Sequence, residues 1–207
     1  MTRHIHVSVR ELVAFSELRG DINFRFSSRS TAVAGIRGHQ RLQKRRGDGY
    51  VAEKRVSDTV EQGDIVLDIS GRVDGYFPGT EPLVVDEIKT VRGEAAAIPA
   101  SVTRVHRGQA RVYGWLLGRE TAAANIRVRV CYLQLDDDSE AQFEETLSLS
   151  ELGDWYARLV QRYLDLGGHA RWVPAAAQSD NRCPAGARWG ISSRATGNGG
   201  VGLSSVA

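Results

Sequence analysis

SGRVDGYFPGTEPLVVDEIKT, residues 70–90, is the stretch on which the fold turns. It ends one alternating apolar run at Asp74, bends through Pro78, Gly79 and Pro82, and enters a second run from Leu83 to Lys89. In a strand, side chains two apart share a face, so Glu87 and Lys89 emerge together while Asp86 and Ile88 point the other way. Two acidic residues on neighbouring strands suit a hard divalent cation, which takes oxygen ligands, keeps waters and adds phosphate oxygens. A lysine beside them can orient or deprotonate a water in metal-assisted phosphodiester hydrolysis. The same residues also read as an ordinary ion pair at a strand end, with Asp74 in a turn, because short spacings of this kind recur by chance. The flanking segments bear on the choice.

Upstream, Ser8-Val9-Arg10-Glu11 has the form of a helix capping box before the apolar positions Leu12, Val13 and Phe15, and that role accounts for Glu11 without a metal. Gly20-Asp21 marks the end of that helix. Thr31 to Arg46 reads as a second helix in which Arg37, Arg41, Lys44 and Arg45 form a basic stripe. Such a stripe tracks a phosphate backbone in one reading and is a solvated helix face in the other. Gly35 precedes His39 by one turn, where a missing side chain permits close approach of a neighbouring element. Tyr50 to Val60 and Asp64 to Tyr76 read as a hairpin turning at Glu61 to Asp64, followed by the strand Pro82 to Thr90.

Downstream, Arg92 to Ala100 is an Ala-rich, mobile connector. In the helix from Val102 to Leu117, His106, Gln109 and Tyr113 share one face, while Val105, Val112, Leu116 and Leu117 face a core. That polar face serves phosphates and bases, or is satisfied within the protein, and the residues alone leave the two readings even. Ile126 to Leu135 is the clearest alternating strand, Asp136 to Ser139 a solvated hairpin tip rather than a calcium loop, and Gln142 to Leu149 the return strand. Ser150-Glu151 opens a last amphipathic helix that closes at Gly167-Gly168. This organisation predicts one domain over residues 1–172 and a low-complexity, disordered tail over 173–207.

Composition limits the classes. A chain of 207 residues with 42% hydrophobic residues supports one domain with a sizeable core. The 27 basic and 25 acidic residues nearly cancel, so only their clustering carries information. The 2 cysteines, Cys131 and Cys183, make neither a disulfide framework nor a four-cysteine cluster, and a reducing cytoplasmic setting is expected. No apolar run reaches membrane-spanning length, and the opening MTRHIHVSVREL lacks the apolar core of a signal peptide.

Taken in order, Gly35-x-x-x-His39, Gly71-Arg72-Val73-Asp74, Glu87-Ile88-Lys89 and Gln109-x-x-x-Tyr113 resemble the PD-(D/E)xK nuclease superfamily in its RecB-like branch, over Ser8 to His169. More narrowly, VSVRELVAF, the basic helix and VVDEIKT are similar to the nuclease domain preceding the motor of certain bacterial DinG-type DNA helicases. The resemblance implies an α/β, restriction-endonuclease-like core with a mixed β-sheet flanked by helices. It implies Asp74, Glu87 and Lys89 as catalytic residues, and His39, Asp74, Glu87 and the Ile88 carbonyl as ligands of Mg2+ or Mn2+. Gln109 and Tyr113 would position the DNA backbone and a base near the cut, His106 and Glu11 having weaker claims to a role at the site, and Arg41 and Lys44 of the basic stripe are further candidates to contact DNA. Val73 stands where the superfamily's name has proline, and no cysteine set exists for an iron–sulfur cluster. The expected activity is a metal-dependent DNA exonuclease on single-stranded or free-ended DNA in repair or processing, with DNA and a DinG-type motor, in cis or in trans, as partners. The alternative is a catalytically weak DNA-binding accessory domain of a helicase.

Overall fold

The computed structural model describes residues 2–17, 32–166 and, as backbone, 190–194. Its elements in chain order are β1 (Arg3–Ser8), α1 (Val9–Glu17), α2 (Ala32–Arg45), β2 (Val51–Gln62), β3 (Ile65–Phe77), β4 (Leu83–Val91), α3 (Ala100–Thr121), β5 (Asn125–Gln134), β6 (Glu140–Ser148), α4 (Leu149–Asp165) and β7 (Gly190–Arg194). The seven strands form one mixed sheet in the order β1-β3-β4-β5-β6-β7, with β2 paired along β3. This is the α/β arrangement expected of a restriction-endonuclease-like core. Helices α1, α3 and α4 pack together on one face and α2 on the other.

The parallel pairing of β4 with β5 follows from α3, which crosses over between them and buries Val112, Leu116 and Leu117. Because both faces of β4 are covered, it is buried almost throughout instead of alternating. Val85 and Val91 join the main core, whereas Ile88 packs with Leu42, Cys131 and Leu133 under α2. Helix α2 sits close to β4 because Gly38 has no side chain: a Cβ there would lie 2.5 Å from Thr90 Cγ2. That approach sets the height at which the next residue, His39, meets the sheet.

Several expectations change. The stretch Arg3–Ser8 is a strand parallel to the first half of β3, an assignment that six residues with three charged or ionisable side chains do not advertise without their partner. The last helix starts two residues earlier than Ser150 implies. Ser148 is its N-cap, accepting from the Glu151 N–H at 3.2 Å, and Glu151 answers by accepting from the Ser148 N–H at 2.8 Å. The connector after β4 is a 3-10 turn at Ala95–Ala97 that buries Ile98. In the segment read as a disordered tail, Gly190–Arg194 pairs antiparallel with β6, supplying backbone partners for an edge that would otherwise be open. The proposed helix stops at Gly20-Asp21 and at Gly167-Gly168, and the rest of the tail, lie outside the described residues.

The aspartate-rich tip is a turn exposed at Asp136, Asp137 and Ser139, as expected, and it also clamps α2. Asp136 accepts from Arg92 Nη1 at 2.5 Å, and Asp138 binds both Arg41 and Arg45 of α2. Asp137 is used locally, accepting from the N–H and hydroxyl of Ser139 at 2.9 and 2.7 Å.

Candidate active site

The site begins at a fork in the sheet. Strand β2 occupies one edge of β3 along its length, so β1 and β4 share the other: β1 takes Ile65 to Ser70 and β4 takes Gly75 to Phe77. Between them, Gly71 to Asp74 have neither partner on that edge. Just past the last β3–β4 rung, Gly75 to Asp86, the Asp74 carboxylate reaches across and accepts the Ile88 N–H at 2.7 Å. Its other oxygen lies 3.5 Å from Nδ1 of His39. A side chain thus replaces a ladder bond where the strands part, which satisfies the backbone and aims a carboxylate into the gap.

The backbone of Asp74 is irregular too. Ala52 pairs with Gly75 and Lys54 with Val73, but Glu53 between them is held at φ 61° and has no rung. The Asp74 carbonyl instead accepts from Gln43 Nε2 at 2.8 Å, and that amide also donates to Glu53 Oε1 at 3.1 Å. Gln43 was not among the sequence candidates. Its signal was its position four residues after His39, on the same face of α2.

Glu87 and Lys89 emerge on one face of β4, as their spacing requires, with Lys89 Nζ donating to Glu87 Oε1. Glu87 is only 4% exposed. Burial pushes its carboxyl up to about 7, the Asp74 charge adding to the effect and Lys89 opposing it. Burial would raise Asp74 as well, but the His39 hydrogen bond, the Lys89 charge and the Ile88 N–H together carry it below the ordinary carboxylate value. Two neighbouring carboxyls with opposed shifts are a common mark of a functional pair.

Helix α3 covers this centre. The Tyr113 ring lies on the free edge of β3: a Cβ at Gly71 would come within 2.7 Å of Tyr113 Cε1. Burial, then the charges of Glu87 and Asp74, raise its hydroxyl pKa, while the Arg72 backbone opposes the shift. Gln109, one turn earlier, is 4% exposed and its Oε1 has no hydrogen-bond partner. His106 Nδ1 lies 2.8 Å from the Tyr132 hydroxyl, and burial, with Lys89 and Arg10, pushes the imidazole down to about 3. The polar face of α3 is therefore turned inward over the fork.

Other candidates are placed differently. Glu11 Oε2 lies 3.4 Å from the Ser8 hydroxyl, which itself accepts the Glu11 N–H at 3.1 Å, so Glu11 serves the helix start. Arg41 is held by Asp138 at the hairpin tip. Lys44 lines an open cavity of about 490 Å³ with Gln40, Gln43, Tyr50 and Ala52.

On the opposite face of β4 lies a buried ionic cluster that sequence reasoning also missed. Asp86 accepts from Arg129 Nε at 2.6 Å and Nη2 at 2.8 Å, and from Arg46 Nε at 2.9 Å. Arg46 also reaches Glu140 and the Cys131 sulfur, the latter at 3.1 Å. This cluster ties the turn after α2 to β4, β5 and β6 on the face of β4 opposite Glu87.

Among the described residues, no three His, Cys, Asp or Glu side chains already converge into a coordination cluster. The donors at the fork nevertheless suit a small hard cation. They comprise the Asp74 and Glu87 carboxyls, the His39 imidazole and the Ile88 carbonyl, with Glu87 buried beside Lys89.

No family model and no curated protein matches the chain. A similar solved structure is the crystal structure of SSO0001, with a TM-score of 0.51, 20% sequence identity, and coverage of 83% of this chain and 81% of that one. At that identity the likeness concerns the fold. Among the described residues, no helix is long and apolar enough to cross a membrane.

Proposed function

We propose that this chain is a Mg2+- or Mn2+-dependent deoxyribonuclease of the RecB-like PD-(D/E)xK type, acting on single-stranded or free-ended DNA. The observation that carries the proposal is the meeting of Asp74 with the Glu87-x-Lys89 pair at the strand fork, with His39 on the Asp74 carboxyl. Asp74, Glu87, His39 and the Ile88 carbonyl would hold the cation. When bound, a dication there supplies positive charge to the scissile phosphate and acidifies a water. Lys89 shares its face with Glu87 and orients that water, donating to it or holding its proton. Tyr113 packs on the backbone edge that leads to Asp74, and Gln109 and Tyr113 offer polar atoms to the DNA strand. In this reading the protein works on cytoplasmic DNA, alone or beside a DinG-type helicase motor.

The test is cleavage of end-labelled single-stranded and duplex DNA by the purified chain with Mg2+, Mn2+ or chelator, beside Asp74→Ala. Metal-dependent cutting that disappears in the variant is expected. Binding without cutting by the wild-type chain would replace the enzyme by a DNA-binding accessory domain.

Metal binding should release a proton near neutrality. Burial pushes the Glu87 carboxyl up to about 7 and it must ionise to act as a ligand, so Mg2+ affinity is expected to be about tenfold lower at pH 6 than at pH 8. Titration calorimetry in two buffers of different ionisation enthalpy reads the released proton. Equal heats in both buffers would remove Glu87 from the ligand set.

A further inference from the structure

We propose that the cavity at the end of β4 and β5 receives one nucleobase of a single-stranded substrate and favours bases that carry an exocyclic amine. This inference rests on the nuclease reading and specifies its substrate.

The cavity has a volume of about 300 Å³ and is walled by Val91, Ala95, Tyr132, Gln134, Ala141 and Phe143. It adjoins the candidate site through the sheet. Val91 follows Lys89 by two residues on the same strand face, an advance of roughly 7 Å, close to the spacing between neighbouring nucleotides. Tyr132 is the register partner of Lys89 and bonds His106 through its hydroxyl. The ring of Phe143 meets Tyr132 edge to face, with centroids 5.7 Å apart and planes at 84°, so the cavity presents a fixed aromatic wall.

Its polar atoms select the ligand. Gln134 donates its Nε2 to the Gly93 carbonyl at 2.8 Å, which fixes the amide and leaves Oε1 buried without a partner. Asp137 and Glu94 also line the space, and Arg92 nearby is already engaged by Asp136. The lining is thus rich in acceptors and carries negative charge. A phosphate is repelled, whereas an amino group of adenine, cytosine or guanine meets the waiting oxygen of Gln134. Thymine has no such group. A base in a duplex is stacked and paired, so only a single strand or a frayed end can place one here.

The experiment follows the fluorescence of 2-aminopurine, moved stepwise along a short single-stranded oligonucleotide bound to the full chain, with calcium in place of magnesium. The expected result is strong quenching at one position and its loss in Ala141→Trp, which fills the cavity, with single-strand affinity about tenfold weaker. If Ala141→Trp does not fold, as read by circular dichroism, Phe143→Ala decides by the same loss. Gln134→Leu should remove the preference of wild type for oligo-dC over oligo-dT while keeping the quenching. Absence of quenching in wild type, or quenching and affinity unchanged in both cavity variants, overturns the proposal. Failure of the nuclease reading shows separately, as absence of metal-dependent cleavage, because the fluorescence arm requires no turnover.

Discussion

Glu87→Gln is expected to lower metal-dependent cleavage on the order of a thousandfold while leaving single-strand binding within about threefold and the fold intact. Glutamine keeps the volume and one carbonyl oxygen but cannot ionise, so it offers a cation no charge. The same change should stabilise the metal-free protein above neutrality. The folded-state value of Glu87 is raised to about 7, so its contribution to stability is present below the ordinary carboxyl value and is lost as pH rises through about 7. At pH 8 the wild type therefore carries a buried carboxylate that the variant lacks, and Glu87→Gln should melt at a higher temperature in chelator. Added Mg2+ should reverse the order, since only the wild type gains from the ligand. A variant that cuts as well as wild type would sink the assignment of Glu87. One that melts lower in chelator at pH 8 would show that the carboxylate is compensated in the metal-free protein.

Asp86→Ala is expected to cost about 3–5 kcal/mol of stability, more than the loss of any exposed charge. Asp86 is fully buried and is the shared acceptor of Arg46 and Arg129, whose side chains are only 10% and 16% exposed. Removing it leaves two guanidiniums with Glu140 as the remaining carboxylate of the cluster. Because the cluster backs β4 on the face opposite Glu87, cleavage should fall with stability and recover in conditions that restore the fold. Chemical denaturation measures the loss. A change below about 1 kcal/mol would mean that the cluster is solvated and holds nothing. The contrast with Glu87→Gln separates the two acidic neighbours: one expected to be needed for turnover, the other for the strand that presents it.

Residues 70–90 were legible because their information is local. Alternation, the turn at Pro78 to Pro82 and the period of a strand place Glu87 and Lys89 on one face whatever surrounds them. The hairpin of β2 and β3, the helices α1 to α4 and the strand β5 were likewise readable from periodicity and capping residues. Strand β1 was not, because a short parallel edge gains its definition only from its partner. Gln43 was missed for a similar reason. Its role depends on the rung lost at Glu53, and a broken register cannot be seen in either strand alone. Asp86 passed as the residue that points away from the site, since nothing in the sequence states that Arg46, Arg129 and Glu140 gather around it.

By itself the sequence determined the α/β class, the order of the elements from α1 to α4 and the face shared by Glu87 and Lys89, because these follow from backbone periodicity and steric rules acting over a few residues. The tertiary structure alone decided that Asp74 closes the fork on the Ile88 N–H, that His39 meets it, that the polar face of α3 turns inward, and that Arg41 spends its charge on Asp138. Those outcomes depend on contacts between residues as much as 97 positions apart. Their energies come from burial and charge pairing, which exist only once the sheet has formed.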